Sequence, residues 1–189
     1  QEKIYDPFLK MFAKKVGSLK VGDPLDPSTD IGTMVDENAV TKTAKLIDDA
    51  VRQGAKVLVG GKARGMTLQP TVLVNVKSSM EACAKEAFAP LAVVSKYKTF
   101  KQVVDEINDS VYGLQAGIFT NRLDDVYYAF KNVQCGGVVI NDVPTYRADH
   151  QPYGGTKASG LGREGVRYSI EDMTEIKILS MNFKSASRG

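Results

Sequence analysis

Apolar positions in the first part of the chain recur at helical spacing, and later ones gather in short β-branched runs separated by further helical stretches. In βαβ units a helix carries each strand back beside the next, so this alternation predicts an α/β fold: a mostly parallel sheet with helices on both faces. Ile4, Phe8, Leu9, Phe12 and Val16 form one stripe, predicting a first amphipathic helix that ends near Gly17 with its apolar face turned to a core. A loop rich in Gly, Pro and Asp runs from Gly22 to Ile31. Asp36 is then placed to N-cap a second helix carrying Val40, Ala44, Ile47 and Val51 and stopping at Gly54.

A strand from Lys56 to Val59 follows at once. Gly60 to Met66 predicts a turn and Leu68 to Val76 a β-rich segment, together a hairpin-like excursion with Pro70 at a strand-opening position where proline is tolerated. Strand Leu91–Tyr97, helix Phe100–Asn108, strand Ala116–Thr120, helix Leu123–Val133 and strand Val138–Asn141 continue the alternation. Asp142 to Gly162 reads as loop and Arg163 to Ser169 as a short helix. From Glu175 to Phe183, Ile176, Ile178 and Met181 alternate with Glu175, Lys177 and Ser180, which predicts a final strand with one buried face. The polar residues Lys184–Gly189 are expected to fray.

Composition narrows the function classes. With 43% hydrophobic and 25% charged residues the chain is ordinary for a globular protein. The net charge of +3 comes from interspersed charges without a basic run, so no nucleic-acid partner is expected. The longest apolar runs, such as Gly136–Ile140, fall far short of the roughly 20 residues of a membrane span. No membrane partner is expected, and the setting reads as soluble and cytoplasmic. Cys83, Cys135 and the single His150 have no metal-ligand spacing, so no zinc site is expected. The chain opens at Gln1 with no signal-peptide pattern, which reads as a piece beginning mid-protein.

Three segments lie where α/β proteins hold ligands, beside strand ends. In Lys85–Pro90 a carboxylate at Glu86 suits a ribose hydroxyl pair and the ring of Phe88 suits a flat heteroaromatic base. By residue type alone, Glu86 reads as a solvated helix-end acid and Phe88 as a core residue. Asn141–Gly155 is a long loop holding Tyr146, Arg147, Asp149, His150 and Tyr153, and long loops are often functional. The bland reading makes His150 a surface residue and Arg147–Asp149 a local ion pair. The glycines of Tyr153–Glu164 hint at a phosphate cradle, yet they match neither the P-loop nor the dinucleotide pattern, and turn geometry explains them better.

Taken in order, Val21–Glu37, Leu68–Leu73, Lys85–Pro90, Tyr112–Leu114, Gly136–Asn141 and Pro152–Glu164 resemble the aldehyde dehydrogenase superfamily, from about Gln1 to about Phe183. The resemblance implies the C-terminal part of a catalytic α/β domain, over residues 1–174, with residues 175–189 as a strand and tail used in oligomerisation. It implies a reaction in which a cysteine attacks a small aldehyde, hydride passes to NAD or NADP, and water hydrolyses the thioester with a glutamate as base. The nucleophile and base would lie upstream of Gln1. No catalytic residue is then expected here, and the chain alone is expected to be inactive.

Residue by residue, the resemblance makes Glu86 the ligand of the nicotinamide ribose, Phe88 the aromatic beside it and Lys42 a further approach to that ribose. Ala89 stands where the family motif usually has glycine. Tyr146 and Tyr153 fall in the region lining the substrate tunnel, and the Thr145–Gly155 stretch resembles branches that handle small polar or anionic aldehydes, whose charge Arg147 could meet. Homodimers or homotetramers are implied. The competing reading is a non-catalytic assembly module of the same fold, using its last strand to extend a partner's sheet. A glycine-rich cysteine motif in the preceding sequence would discriminate the two.

Overall fold

A computed structural model describes residues 1–183, so the expected fraying of the Lys184–Gly189 tail lies outside the described residues. In chain order the elements are α1 (Tyr5–Gly17), α2 (Glu37–Arg52), β1 (Lys56–Val59), β2 (Ala63–Arg64), β3 (Thr67–Leu68), β4 (Thr71–Val74), α3 (Glu81–Ala84), β5 (Leu91–Val94), α4 (Phe100–Asn108), β6 (Tyr112–Gly113), β7 (Gln115–Ile118), α5 (Leu123–Asn132), β8 (Gly137–Ile140), β9 (Thr156–Lys157) and α6 (Val166–Met173). They divide into two compact units, Gln1–Ser110 and Val111–Gly189.

The first unit is built around β4, whose four residues are all buried. β4 pairs parallel with β5, in register from Thr71 with Leu91 to Val74 with Val94, and antiparallel with β1 on its other side. Helix α2 forms where its signals predict. Asp36 Oδ1 accepts the Ala39 N–H at 2.6 Å, satisfying one of the free donors of the first turn. At the other end Gly54, at φ +106°, reverses the chain, while Gly54 N donates to Val51 O and Ala55 N to Ala50 O. That double bond is the Schellman arrangement, which occupies two end carbonyls at once. Ile47 and Ala50 of α2 then pack with Ala55, Leu68, Leu73, Met80 and Ala82 as the core.

In the second unit β7 and β8 pair parallel, from Gln115 with Gly137 to Ile118 with Ile140, and α5 is the crossover between them. Ala129 of α5, Val133 and Ile118 are buried. β6 and β9 pair antiparallel, Tyr112 opposite Lys157 and Gly113 opposite Thr156.

The α/β class is the one the sequence predicts, with local corrections. Helix α1 has no fully buried residue: Ile4 and Phe8 stay exposed, Phe8 stacks on Phe12, and only part of the apolar stripe meets β1 and β4. The expected turn and β-rich segment resolve into the β2–β3 hairpin followed by β4. The loop expected from Asp142 to Gly162 contains β9, and the helix expected at Arg163–Ser169 begins later, at Val166, because Gly165 at φ +116° cannot lie inside it. Residues 175–183 join no ladder among the described residues, although they alternate as a strand should. A strand forms only against a partner, and this segment finds none among the described residues.

Candidate functional site

Two groups of side chains correspond to the residues singled out above, one in each unit. In the first unit, Lys42 and Lys45 project from α2 and meet Glu81, Lys85 and Glu86 from the α3 region across an open groove of about 500 Å³. Thr43, Leu46, Asp49 and Ala87 complete its walls. The helix α2 places Lys42 there because the buried positions Val40, Thr43 and Ile47 turn the intervening residues outward. Lys85 Nζ donates to Glu81 Oε1 at 2.6 Å, and this bond, then the lysine's charge, holds the Glu81 carboxyl below the usual range. Lys42 and Glu86, by contrast, take no hydrogen-bond or ion-pair partner among the described residues.

Phe88 does not sit in the core, as its residue type would suggest: it is 85% exposed, at φ +41°. A bulky side chain rarely adopts positive φ, a conformation that costs about 1–3 kcal/mol and persists only where its surroundings enforce it. Here the turn toward Leu91 supplies the constraint, with Leu91 N donating to Ala89 O at 2.7 Å and Thr71 N to Pro90 O at 2.8 Å. Ala89 itself avoids positive φ, so the strain of this turn falls on Phe88, not on the position where the family motif has glycine.

In the second unit, Tyr146 lines a groove of about 370 Å³ with Gln115, Asp142, Gln151, Pro152 and the residues of β8. Gln115 Oε1 is buried without a hydrogen-bond partner among the described residues. Arg147 and Tyr153 are not part of that lining. The Arg147 guanidinium lies 4.3 Å from the Tyr153 ring centroid and donates through one terminal nitrogen to Glu164, which replaces the expected Arg147–Asp149 pair. Tyr153 and Glu164 are themselves joined by a two-way backbone bridge, Tyr153 N to Glu164 O at 3.1 Å and Glu164 N to Tyr153 O at 2.6 Å.

The glycines between them are turn glycines. Gly160 and Gly162 have positive φ, and a Cβ on Gly155 would meet Ser159 at 2.4 Å. Arg163 ties the turn together by donating to Gly155 O at 2.9 Å and Gly162 O at 2.6 Å. Glu164 and Gln115 were not singled out from the sequence. Only the three-dimensional pairing of Glu164 with Arg147, and the orphaned acceptor of Gln115, mark them.

The two cysteines differ in setting, and Cys135 is not set up as a nucleophile. Cys83 lies exposed in α3. Cys135 donates its thiol to Gly137 O at 3.0 Å, and burial pushes the thiol up, against the opposing pull of backbone contacts at Gly137 and Ala116 and of the Lys157 charge. A reactive thiol needs the reverse shift. Among the described residues, no cluster of His, Cys, Asp and Glu could hold a metal ion, and no helix is long and apolar enough to cross a membrane.

Comparison with known proteins puts these groups in a family. The chain is 42% identical over 179 residues to a 3-sulfolactaldehyde dehydrogenase of Priestia aryabhattai, covering 95% of this chain and 38% of that protein. It superposes with a TM-score of 0.94 on aldehyde dehydrogenase 21 of Physcomitrella patens in complex with the reaction product succinate, at 41% identity, covering 98% of this chain and 39% of the other. A glyceraldehyde-3-phosphate dehydrogenase of Methanocaldococcus jannaschii complexed with NADP gives a TM-score of 0.90 at 39% identity, over 94% and 38% of the two chains. The chain thus spans under two fifths of the length of these relatives. Residues 1–179 match the aldehyde dehydrogenase family model, and with the solved structures this shows that the chain belongs to the aldehyde dehydrogenase family.

Proposed function

We propose that this chain supplies the nicotinamide-ribose contacts and part of the substrate wall of an enzyme that oxidises a small anionic aldehyde to a carboxylate with NAD or NADP. The observation that carries the reading is the groove in the first unit, which Lys42 and Glu86 both line and where neither side chain has a partner among the described residues. An unpaired carboxylate beside an unpaired ammonium suits a ribose, whose hydroxyls donate to the first and accept from the second. Phe88, held exposed in a strained conformation nearby in sequence, offers a face for a flat ring. NAD or NADP would supply the hydride acceptor. The residues of this chain would bind and orient it, and the nucleophile and general base would come from other parts of the polypeptide; the burial-raised thiol of Cys135 is not suited to attack.

An anionic substrate is supported by the relatives. Their names specify a sulfonated aldehyde, the dicarboxylate succinate as product, and a phosphorylated aldehyde, and each of these carries a negative group away from the reacting carbon. In this chain Arg147 is the cation in the corresponding segment, with Tyr146 and Tyr153 as the flanking surface. The exposed apolar segment from Glu175 to Phe183 is assigned to assembly into a homodimer or homotetramer, where a neighbour's strand would cover it.

The experiment is Glu86→Gln in the complete polypeptide, followed by single-turnover absorbance of NAD(P)H. The variant is expected to fold normally and to slow hydride transfer at least tenfold through a misplaced nicotinamide. An unchanged single-turnover rate would remove Glu86 from the site.

A further inference from the structure

We infer that Glu164 is a positioning residue that holds the Arg147 guanidinium over Tyr153, so that its open N–H edge receives the anionic group of the aldehyde. The inference rests on the reading that Arg147 meets the substrate's charge.

Arg147 sits in a segment without regular structure, between β8 and β9, and an arginine there has several rotatable bonds and no backbone reason to hold one direction. Two neighbours remove that freedom. The Tyr153 ring anchors the guanidinium carbon, 4.3 Å from its centroid, because the cation is drawn to the negative face of the ring. Glu164 restricts its rotation by taking one terminal nitrogen. The other guanidinium nitrogens of Arg147 take no partner among the described residues. A planar fork with one corner occupied and the rest open suits bidentate contact with a carboxylate, sulfonate or phosphate.

The support beneath Glu164 is what makes it the positioner and Arg147 the positioned. Its backbone is bridged in both directions to Tyr153, so ring and carboxylate hold a fixed separation. On one side Arg163 is tied to two loop carbonyls. On the other, Gly165 turns at φ +116°, and a Cβ there would meet the Gln151 carbonyl oxygen at 2.9 Å. The carboxylate therefore projects from a braced turn.

A carboxylate beside an anion site also repels the anion, and the two effects must be compared. The side chains of Arg147 and Glu164 are 52% and 64% exposed, so water screens the repulsion across the width of the guanidinium. Orientation is not screened. Its loss leaves an open cation that must be ordered afresh by each substrate, and the structure therefore predicts that removing Glu164 weakens anion recognition.

The test uses the complete polypeptide and two aldehydes of like length, 4-oxobutanoate and neutral butanal, with kcat/KM measured for each. Arg147→Ala is expected to abolish most of the preference for 4-oxobutanoate. If it does not, Arg147 is no anion site, and both the reading and this inference fall. Given that loss, Glu164→Ala should lower the 4-oxobutanoate to butanal ratio by about tenfold, with Glu164→Gln, which keeps an acceptor, falling between it and wild type. In an Arg147→Ala background Glu164→Ala should leave the ratio unchanged, because it acts through the arginine. An unchanged or raised ratio in Glu164→Ala and Glu164→Gln, or equal losses on both aldehydes, would overturn the positioning role while leaving the anion site standing. Should Glu164→Ala fail to fold, Glu164→Gln alone decides it by the same ratio.

Discussion

A Cβ placed on Gly136 would fall 1.6 Å from the carbonyl oxygen of Gly154. The start of β8 and the loop that carries Tyr153 therefore touch backbone to backbone, while Gly136 N donates to Gly113 O of β6 at 3.0 Å. No side chain fits between them. Gly136→Ala must separate the two segments, and the overpacking should destabilise by about 1–3 kcal/mol. Chemical denaturation of the complete polypeptide would record the loss as a lower midpoint. Because Tyr153 and Glu164 ride on the displaced loop, the preference for an anionic aldehyde should fall with it. An Ala variant of wild-type stability would mean that the two backbones are not in contact.

Thr71 concentrates three bonds in the core of the first unit. It is 1% exposed, its hydroxyl donates to Gln69 O at 2.7 Å and accepts from Gly61 N at 2.9 Å, and its own N–H donates to Pro90 O. Thr71→Val keeps the shape and removes the hydroxyl, leaving the Gly61 N–H and one lone pair of the Gln69 carbonyl without their partner. The expected loss is about 1–3 kcal/mol, read as a shifted urea midpoint at constant slope. Thr71→Ser, which retains the hydroxyl, should lose less. Equal losses in the two variants would make packing, not hydrogen bonding, the role of this side chain.

Where signals are local the sequence was readable, as at α2: its cap at Asp36 and its stop at Gly54 depend on residues within a few positions. The strands β5, β7 and β8 were also legible, since β-branched runs between helical stretches have few other uses, whereas the parallel pairing of β4 was hidden in a segment that reads as a hairpin. The two-residue strands β6 and β9 were not. They are too short for a period to show, and they pair across more than forty positions, as Gly113 with Thr156. Proximity along the chain points Arg147 to Asp149, whereas the fold brings Glu164 to it from seventeen positions away. Phe88 was read as core from residue type, and only the turn's backbone sends it outward.

The two cysteines should separate in reactivity. Cys83 is exposed, while Cys135 is half-buried, hydrogen-bonded to Gly137 O and raised by burial. Alkylation near neutral pH is expected to label Cys83 first, with Cys135 lagging until the pH exceeds the ordinary thiol range. The sign for stability follows. A folded-state value above the unfolded one means that the contribution of Cys135 is complete below the ordinary thiol range and is lost as pH rises through the raised value. Cys135→Ser should therefore flatten the alkaline limb of a stability profile. Preferential labelling of Cys135 at neutral pH would contradict its placement.

The apolar residues after α6 provide the last prediction. Ile176 and Ile178 are 95% and 87% exposed, and Leu179 and Phe183 are exposed as well. Left in water, such a cluster forfeits the burial that would otherwise favour folding, roughly 1.5–3 kcal/mol for each large side chain. Alternation of Ile176 and Ile178 with Glu175 and Lys177 suits a strand, and an unpaired strand with an apolar face is a template for another chain. If the complete polypeptide assembles through this segment as proposed, amides from Ile176 to Leu179 should be strongly protected from hydrogen exchange, and diluting the protein to monomers should release them. Ile178→Lys should shift the oligomer toward monomer at concentrations where the wild type remains assembled, since a charge would be set on the buried face. Undiminished protection in a proven monomer would show that the segment pairs within its own polypeptide, and would end its assignment to assembly.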